Sequence, residues 1–352
     1  MKIDVYTHFL PGKYHDALAK HMGKPYAAAL SNPNIIDVDF RLRMLDKYDD
    51  LVQVLTPTGP PLEAIAKPAK AAELARIAND AMAEILVKHP DRFVAGVALV
   101  PTNNIEAALD ETDRAIKELH FKGIYLFTPQ FIYGEIKPSD DTGTAGHMVG
   151  NLPTNTKPID IPELMPLYEK MAQYDLPIWL HPRTTPAFTD YTSEKISRYR
   201  IWQIFGWPYH TTAAMTRLIF SGIMDKYPNI KFMTHHAGAM VPFFERRIAV
   251  QYDYDEASGG KDKQQLSNNV LDYYRRFYVD TALHGGTPSL MCSYSFYGAE
   301  HMLFATDVPH DSTLGDLSIR DTITAIENMK ITKAEKKAIF EGNAKKLLRL
   351  NI

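Results

Sequence analysis

The sequence predicts a closed (β/α)8 barrel with helices at its C-terminal end. Eight short β-rich runs ending in polar residues or proline alternate with helical stretches, and 352 residues suit one barrel with extra helices. No Gly-x-Gly-x-x-Gly or Walker-type loop follows any run, which removes support for nucleotide binding. The whole chain, 1–352, therefore reads as a single domain.

The first run, residues 2–9, is closed by Pro11. In a strand, residues i and i+2 share a face, so Tyr6 and His8 stand side by side at its end. Runs at 51–57, 93–101 and 123–129 follow, separated by helices predicted over 39–48, 68–88 and 105–119. The second of these helices is Ala-rich and has Pro68 at its start, where a missing N–H costs nothing. Residues 130–160 break the rhythm with Gly, Pro, Ser, Thr and Asn. They read as an inserted, lid-like loop at the end of the fourth strand. The alternation resumes with a helix over 162–174, strand 177–182, helix 211–226, strand 231–236, a helical stretch, strand 277–282, helix 288–296 and strand 302–309. Helices around 318–329 and 333–350 close the chain.

Composition narrows the partners. With 39 basic against 42 acidic residues there is no electrostatic footprint for nucleic acid or an anionic membrane, so a small molecule is expected. Cys292 is the only cysteine, and no internal disulfide is possible. Neither a secretory leader pattern nor a run of about 20 apolar residues is present, and the cytoplasm is the expected compartment.

Barrel active sites gather where strands end at their C-terminal side. Those ends here carry Tyr6 and His8, His181, His235 and His236, Asp280, and Asp307. One buried histidine is ordinarily structural, but several at matching topological positions point to shared chemistry. His8, His181 and Asp307 offer two imidazoles and a carboxylate, a set that holds Zn, Mn or Fe(II) with a coordination position left open. Of the histidine pair, alternation allows only one to face the interior. The expectation is that His236 does so and His235 packs against helices. Asp280 is a candidate to orient a ligand histidine, and His284 and His310 stand in loops near the expected mouth. His210 begins a helix, where it touches ligand or merely caps. Arg183, two residues past His181, and Arg247, in 243–248, are candidates to grip a carboxylate with a bidentate fork. Trp179, Trp202, Phe205 and Trp207 are candidates for an aromatic pocket or for core.

The chain resembles the second amidohydrolase group, the relatives of aminocarboxymuconate-semialdehyde decarboxylase and γ-resorcylate decarboxylase, over nearly its whole length. The landmarks are Ile3-Asp-Val-Tyr-Thr-His8, His181-Pro182, His236-Ala-Gly238, Thr306-Asp-Val-Pro309 and Glu341-Gly-Asn343. Gly206-Trp-Pro208, Leu218-Ile-Phe-Ser-Gly222 and Tyr227-Pro-Asn-Ile-Lys231 precede the sixth strand. The resemblance implies a divalent metal, Zn first with Mn or Fe as alternatives, held by His8, His181 and Asp307, with His236 nearby handling a proton. It further implies a homodimer or higher homo-oligomer, in which Arg247 reaches a neighbour's substrate.

Tyr6 departs from the pattern, because relatives carry His or Glu there. Three roles remain open for it: a phenolate ligand, a hydrogen bond to a metal-bound water or a substrate oxygen, or the mark of a site without metal. The reading placed first is a metal-dependent decarboxylase of an aromatic or muconate-like acid, with Asp307 or His236 delivering the proton. A metal-dependent hydrolase or hydratase comes second, and an inactive or binding paralogue third.

Overall fold

The structure is a computed structural model describing residues 1–23, 32–134, 155–260 and 263–352. Eight parallel strands follow one another in chain order. They are β1 (Lys2–Asp4), β2 (Leu51–Leu55), β3 (Phe93–Gly96, continued by Ala98–Leu99), β4 (Ile124–Thr128), β5 (Pro177–Pro182), β6 (Lys231–Thr234), β7 (Tyr278–Asp280) and β8 (Met302–Leu303). Between β8 and β1 the ring is joined by the Val5 N–H, which donates to the Phe304 carbonyl at 3.0 Å. The buried Asp4 carboxylate ties the same seam by accepting from the Thr306 hydroxyl at 2.6 Å and the Thr306 N–H at 3.2 Å. The fold is the (β/α)8 barrel that the alternation predicts.

Neighbouring residues along β4, β5, β6 and β8 fall into different apolar clusters, as a period of two requires. Ile124 and Leu126 pack with the helices, whereas Tyr125 and Phe127 join Ile3, Val5, Trp179, Met233, Leu303 and Ala305. Two bonds cross the ring on that second side: the Trp179 indole donates to the Val5 carbonyl and the Tyr6 hydroxyl to the Leu180 carbonyl. The second set therefore includes the barrel interior. Counting on by two gives His181 after Trp179, His235 after Met233 and Asp307 after Ala305.

Outside the ring, the long helix Pro68–Lys88 buries Ala71, Leu74, Ala75, Ala78, Ala81, Met82 and Ile85 along one face. Gly12–Met22, which sequence periodicity does not reveal, packs on it through only two buried residues, Tyr14 and Leu18. Val241–Ala257 is the helix after β6, and Thr287–Tyr297 lies against it. The single helix expected over 333–350 is two, Lys333–Lys337 and Asn343–Leu348, joined by a π-helical turn at Ala338–Gly342. Of the expected lid, residues 135–154 lie outside the described residues. Its described ends pair as an antiparallel ribbon, Gln130–Phe131 with Thr156–Lys157. Among the described residues no helix is long and apolar enough to cross a membrane.

Candidate metal centre and active site

His181 lies within β5, but three other strands stop before their expected site residues arrive. β1 ends at Asp4, β6 at Thr234 and β8 at Leu303, so His8, His236 and Asp307 stand on turns just beyond them. All three take left-handed backbone, with φ of 41°, 61° and 61°, and so do Ala237, Ala239 and His284. Such conformations are uncommon for residues with a Cβ and collect at functional sites. Gly238 completes the turn at φ 77°, where a Cβ would sit 2.5 Å from the Tyr297 ring. The glycine of the His-Ala-Gly landmark is thus required by the turn and by close packing.

A bend at Val5 shifts the inward parity, so that Val5 and Tyr6 both join the interior cluster and His8 follows two residues on. The His8 backbone is fixed from two sides. Thr56 Oγ1 accepts from the Thr7 and His8 N–H groups at 3.1 Å each. From beneath, the fully buried Arg41 donates to the Thr7 carbonyl at 3.0 Å, the His8 carbonyl at 3.2 Å and Gln53 Oε1 at 2.9 Å. Burial lowers the Arg41 guanidinium to about 9, against which the Asp4 carboxylate acts.

His8, His181, His235 and Asp307 converge. One ring nitrogen from each of His8, His181 and His235 lies within 4.8 Å of the others. The same limit groups His8, Asp307 and His310, and also His235, His236 and Asp307. His181 and Asp307 thus meet through His8 and His235 rather than in a group of their own. His8 Nε2 approaches Asp307 Oδ1 to 2.8 Å without the alignment of a hydrogen bond. Two buried donors that come close while aiming past one another suit a shared third partner. Both ring nitrogens of His8, Nδ1 of His181 and Nδ1 of His236 are buried with no hydrogen-bond partner, a costly state that a cation would relieve.

The electrostatics keep His8, His181, His236 and Asp307 neutral or anionic, whereas His235, which burial alone would lower, is raised to about 10 by the Asp280 and Asp307 carboxylates. Burial holds the His8, His181 and His236 imidazoles below their usual range, and neighbouring rings add to the effect. Burial would raise the Asp307 carboxyl, but the adjoining His235 and His8 rings reverse this and hold it well below the ordinary carboxylate range.

His235 corrects the expectation from sequence. It does not pack against helices: it is fully buried inside the barrel, stacked on the Tyr6 ring with centroids 4.0 Å apart. Its Nδ1 pairs with Asp280 Oδ2, and its Nε2 lies 3.2 Å from Asp307 Oδ1. Asp280 is itself fixed, since Oδ1 accepts from the Ala237 and Ala282 N–H groups at 3.0 Å each. Both members of the His235–His236 pair approach Asp307, because the chain turns at His236 instead of continuing the strand alternation. Met233 in the interior cluster is the signal, two residues ahead of His235, but sequence alone does not say which of Phe232 and Met233 faces inward.

The remaining candidates separate. Tyr6 does not present its oxygen to a ligand: it is fully buried, its hydroxyl donates to the Leu180 carbonyl at 3.3 Å, and burial pushes its ionisation well above the normal phenol range. Arg183 is buried and lines a cavity of about 570 Å³ together with His8, His181, Trp202, Trp207 and His310. The His284 Nε2 stands 3.6 Å from Asp307 Oδ2. Trp179 is core, and Phe205 is exposed. Arg247 lies apart, exposed on helix Val241–Ala257, where it lines a groove between helices with Phe244, Ile248 and Tyr252.

The amidohydrolase family pattern matches residues 3–350 of the chain. The chain belongs to the amidohydrolase family. It is 28% identical over 319 residues to a gamma-resorcylate decarboxylase of Polaromonas sp. strain JS666, covering 90% of this chain and 89% of that one. It is 25% identical over 374 residues to the 2-amino-3-carboxymuconate-6-semialdehyde decarboxylase of Dictyostelium discoideum, covering 100% and 92% of the two chains. Among solved structures, a dihydroxybenzoic acid decarboxylase from Polaromonas sp. JS666, with bound manganese and the inhibitor 2-nitroresorcinol, is similar with a TM-score of 0.76. Its identity is 26%, covering 100% of this chain and 97% of that one. This amidohydrolase is thus similar over its full length to decarboxylases.

Proposed function

We propose that the protein is a metal-dependent, non-oxidative decarboxylase of an aromatic carboxylic acid. The observation that carries this reading is the cavity walled by His8, His181, the buried Arg183, Trp202 and Trp207, with Asp307 Oδ1 2.8 Å from His8 Nε2. The full-length similarity to decarboxylases of resorcylate and carboxymuconate semialdehyde supports it.

Each residue has a part in that reaction. The Arg183 guanidinium binds the substrate carboxylate, and the indoles pack against the ring. A divalent ion held by the His/Asp donors supplies Lewis-acid polarisation of the acid and of a neighbouring oxygen. A nitrogen-rich donor set favours Zn, whereas Mn is the ion of the Polaromonas structure. Asp307, an anion before substrate arrives, takes up a proton delivered through His284 and hands it to the ring carbon that bears the carboxylate. Cleavage of the carbon–carbon bond then releases carbon dioxide, and its electron pair restores the aromatic ring. Oδ2 is the oxygen that faces His284, which stands on the exposed side to restore the proton from solvent. His236 is the second candidate for the proton. The homo-oligomer belongs to the same reading and is checked by sedimentation.

The test is product analysis with purified protein, Zn or Mn, and a hydroxybenzoate-type acid. Stoichiometric carbon dioxide release supports the proposal. Gain of water without loss of carbon replaces it with a hydratase or hydrolase, and a protein that takes up no divalent metal and turns nothing over replaces it with a binding or inactive paralogue.

A further inference from the structure

Resting on the metal-dependent reading above, we propose that His235 is itself a metal ligand in this chain, supplying through Nε2 the donor that Tyr6 at the end of β1 does not supply. Tyr6 is removed from ligand duty by its own contacts. Its hydroxyl is engaged by the Leu180 carbonyl, and its ring lies nearly parallel to His235 at 16° and 4.0 Å. Tyr6 therefore acts as a plate on which the imidazole rests, a positioning role.

The far side of His235 is equally fixed. Nδ1 pairs with Asp280, an acceptor-only carboxylate, so Nδ1 carries a hydrogen; a bound cation would displace the second hydrogen that Nε2 otherwise turns to Asp307 and would take that lone pair. This is the outer half of a carboxylate–histidine–metal arrangement, in which the carboxylate sets both tautomer and ring orientation. Asp280 has no freedom to turn away, because its second oxygen accepts two backbone N–H groups. Nε2 then points where the other donors collect. It lies 3.2 Å from Asp307 Oδ1, and that oxygen lies 2.8 Å from His8 Nε2. Ligand atoms bound about 2.0–2.1 Å from one tetrahedral zinc stand roughly 3.3 Å from one another, close to these separations. His8, His181 and His235 also form one of the described three-donor groups. The ligand set becomes His8, His181, His235 and Asp307, and substrate would join as a fifth ligand.

The competing account makes His235 a charged clamp between two carboxylates with no bond to the ion. Zn2+ affinity, measured on the full chain by competition with a chromophoric chelator, separates the two. His235→Gln is expected to lose about 100-fold or more in affinity and Asp280→Asn about 10- to 100-fold, while Tyr6→Phe changes it less than about threefold. Circular dichroism melting confirms that each variant is folded. A folded His235→Gln protein that binds Zn2+ as tightly as the parent overturns the proposal, and so does loss of metal in Tyr6→Phe, which would make the phenol the ligand. If His235→Gln does not fold, zinc X-ray absorption on the parent protein decides: three imidazoles support the assignment and two overturn it. Parent protein that binds no Zn2+ or Mn2+ fails the proposed function as well, whereas tight binding independent of His235 fails this inference alone.

Discussion

Two concavities of comparable size differ in almost everything else. One, about 570 Å³, opens where the strands end and is walled by His8, His181, Arg183, Trp202, Trp207 and His310. The other, about 420 Å³, runs between helices and is walled largely by Phe220, Phe244, Ile248, Tyr252 and Tyr274, with Arg247 and Lys263 at its edges. The Lys263 ammonium lies 3.2 Å from the centre of the Tyr252 ring, so one of its two cations already faces an aromatic surface. Apolar walls make the helical groove the more ligand-like in shape. Among the described residues, the strand-end cavity is the one of the two whose walls carry imidazole nitrogens, on His8 and His181, without hydrogen-bond partners. Position in the topology, more than volume, makes the strand-end cavity the candidate for catalysis.

The strongest way to break this contrast is at the proton. Asp307→Asn is expected to lower turnover about 1,000-fold, because the amide neither carries the proton nor binds a cation as a carboxylate does. Carbon dioxide release against a matched folded control measures it, and an unchanged rate would move the chemistry elsewhere. Next in size is substrate capture. Arg183→Ala should raise KM about 10- to 100-fold, and Arg183→Lys should restore part of that loss while missing the bidentate geometry.

A third effect concerns stability. Burial raises Asp4 at the β1–β8 seam from 3.8 to about 7, with the Thr306 hydroxyl and N–H acting against it. Between those two values the folded chain holds a proton that the unfolded chain has lost. Stability from this group is therefore complete below 3.8 and is lost as pH rises through about 7. In Asp4→Asn, denaturant titrations from pH 4 to 7.5 should show a flatter slope; an equal slope in both proteins would place the titrating group elsewhere. The smallest effect is expected in the helical groove, where Arg247→Ala should change kcat/KM less than about twofold. A large rise in KM there would show that a second subunit delivers Arg247 to the strand-end cavity, and the two concavities would then be halves of one site.

Much of this was legible in the residues. The eightfold alternation set the barrel, and the strand-end positions of His8, His181 and Asp307 brought them to one rim. What remained hidden depended on phase and depth. His235 turns inward because β6 presents Met233 to the interior, a choice of face that the run KFMTHH does not reveal. Tyr6 looks like a ligand by position but spends its hydroxyl on a backbone carbonyl four strands away. Arg41, which nothing in the sequence singles out, lies fully buried under His8, where its guanidinium donates to the Thr7 and His8 carbonyls that the strand end leaves open.

The left-handed backbone at His8, His236, His284 and Asp307 sets these side chains against the comfort of their own main chain. Glycine would sit more easily at each of the four. A change to glycine at any of the four would ease the main chain and, in the same stroke, strip the rim of an imidazole or a carboxylate.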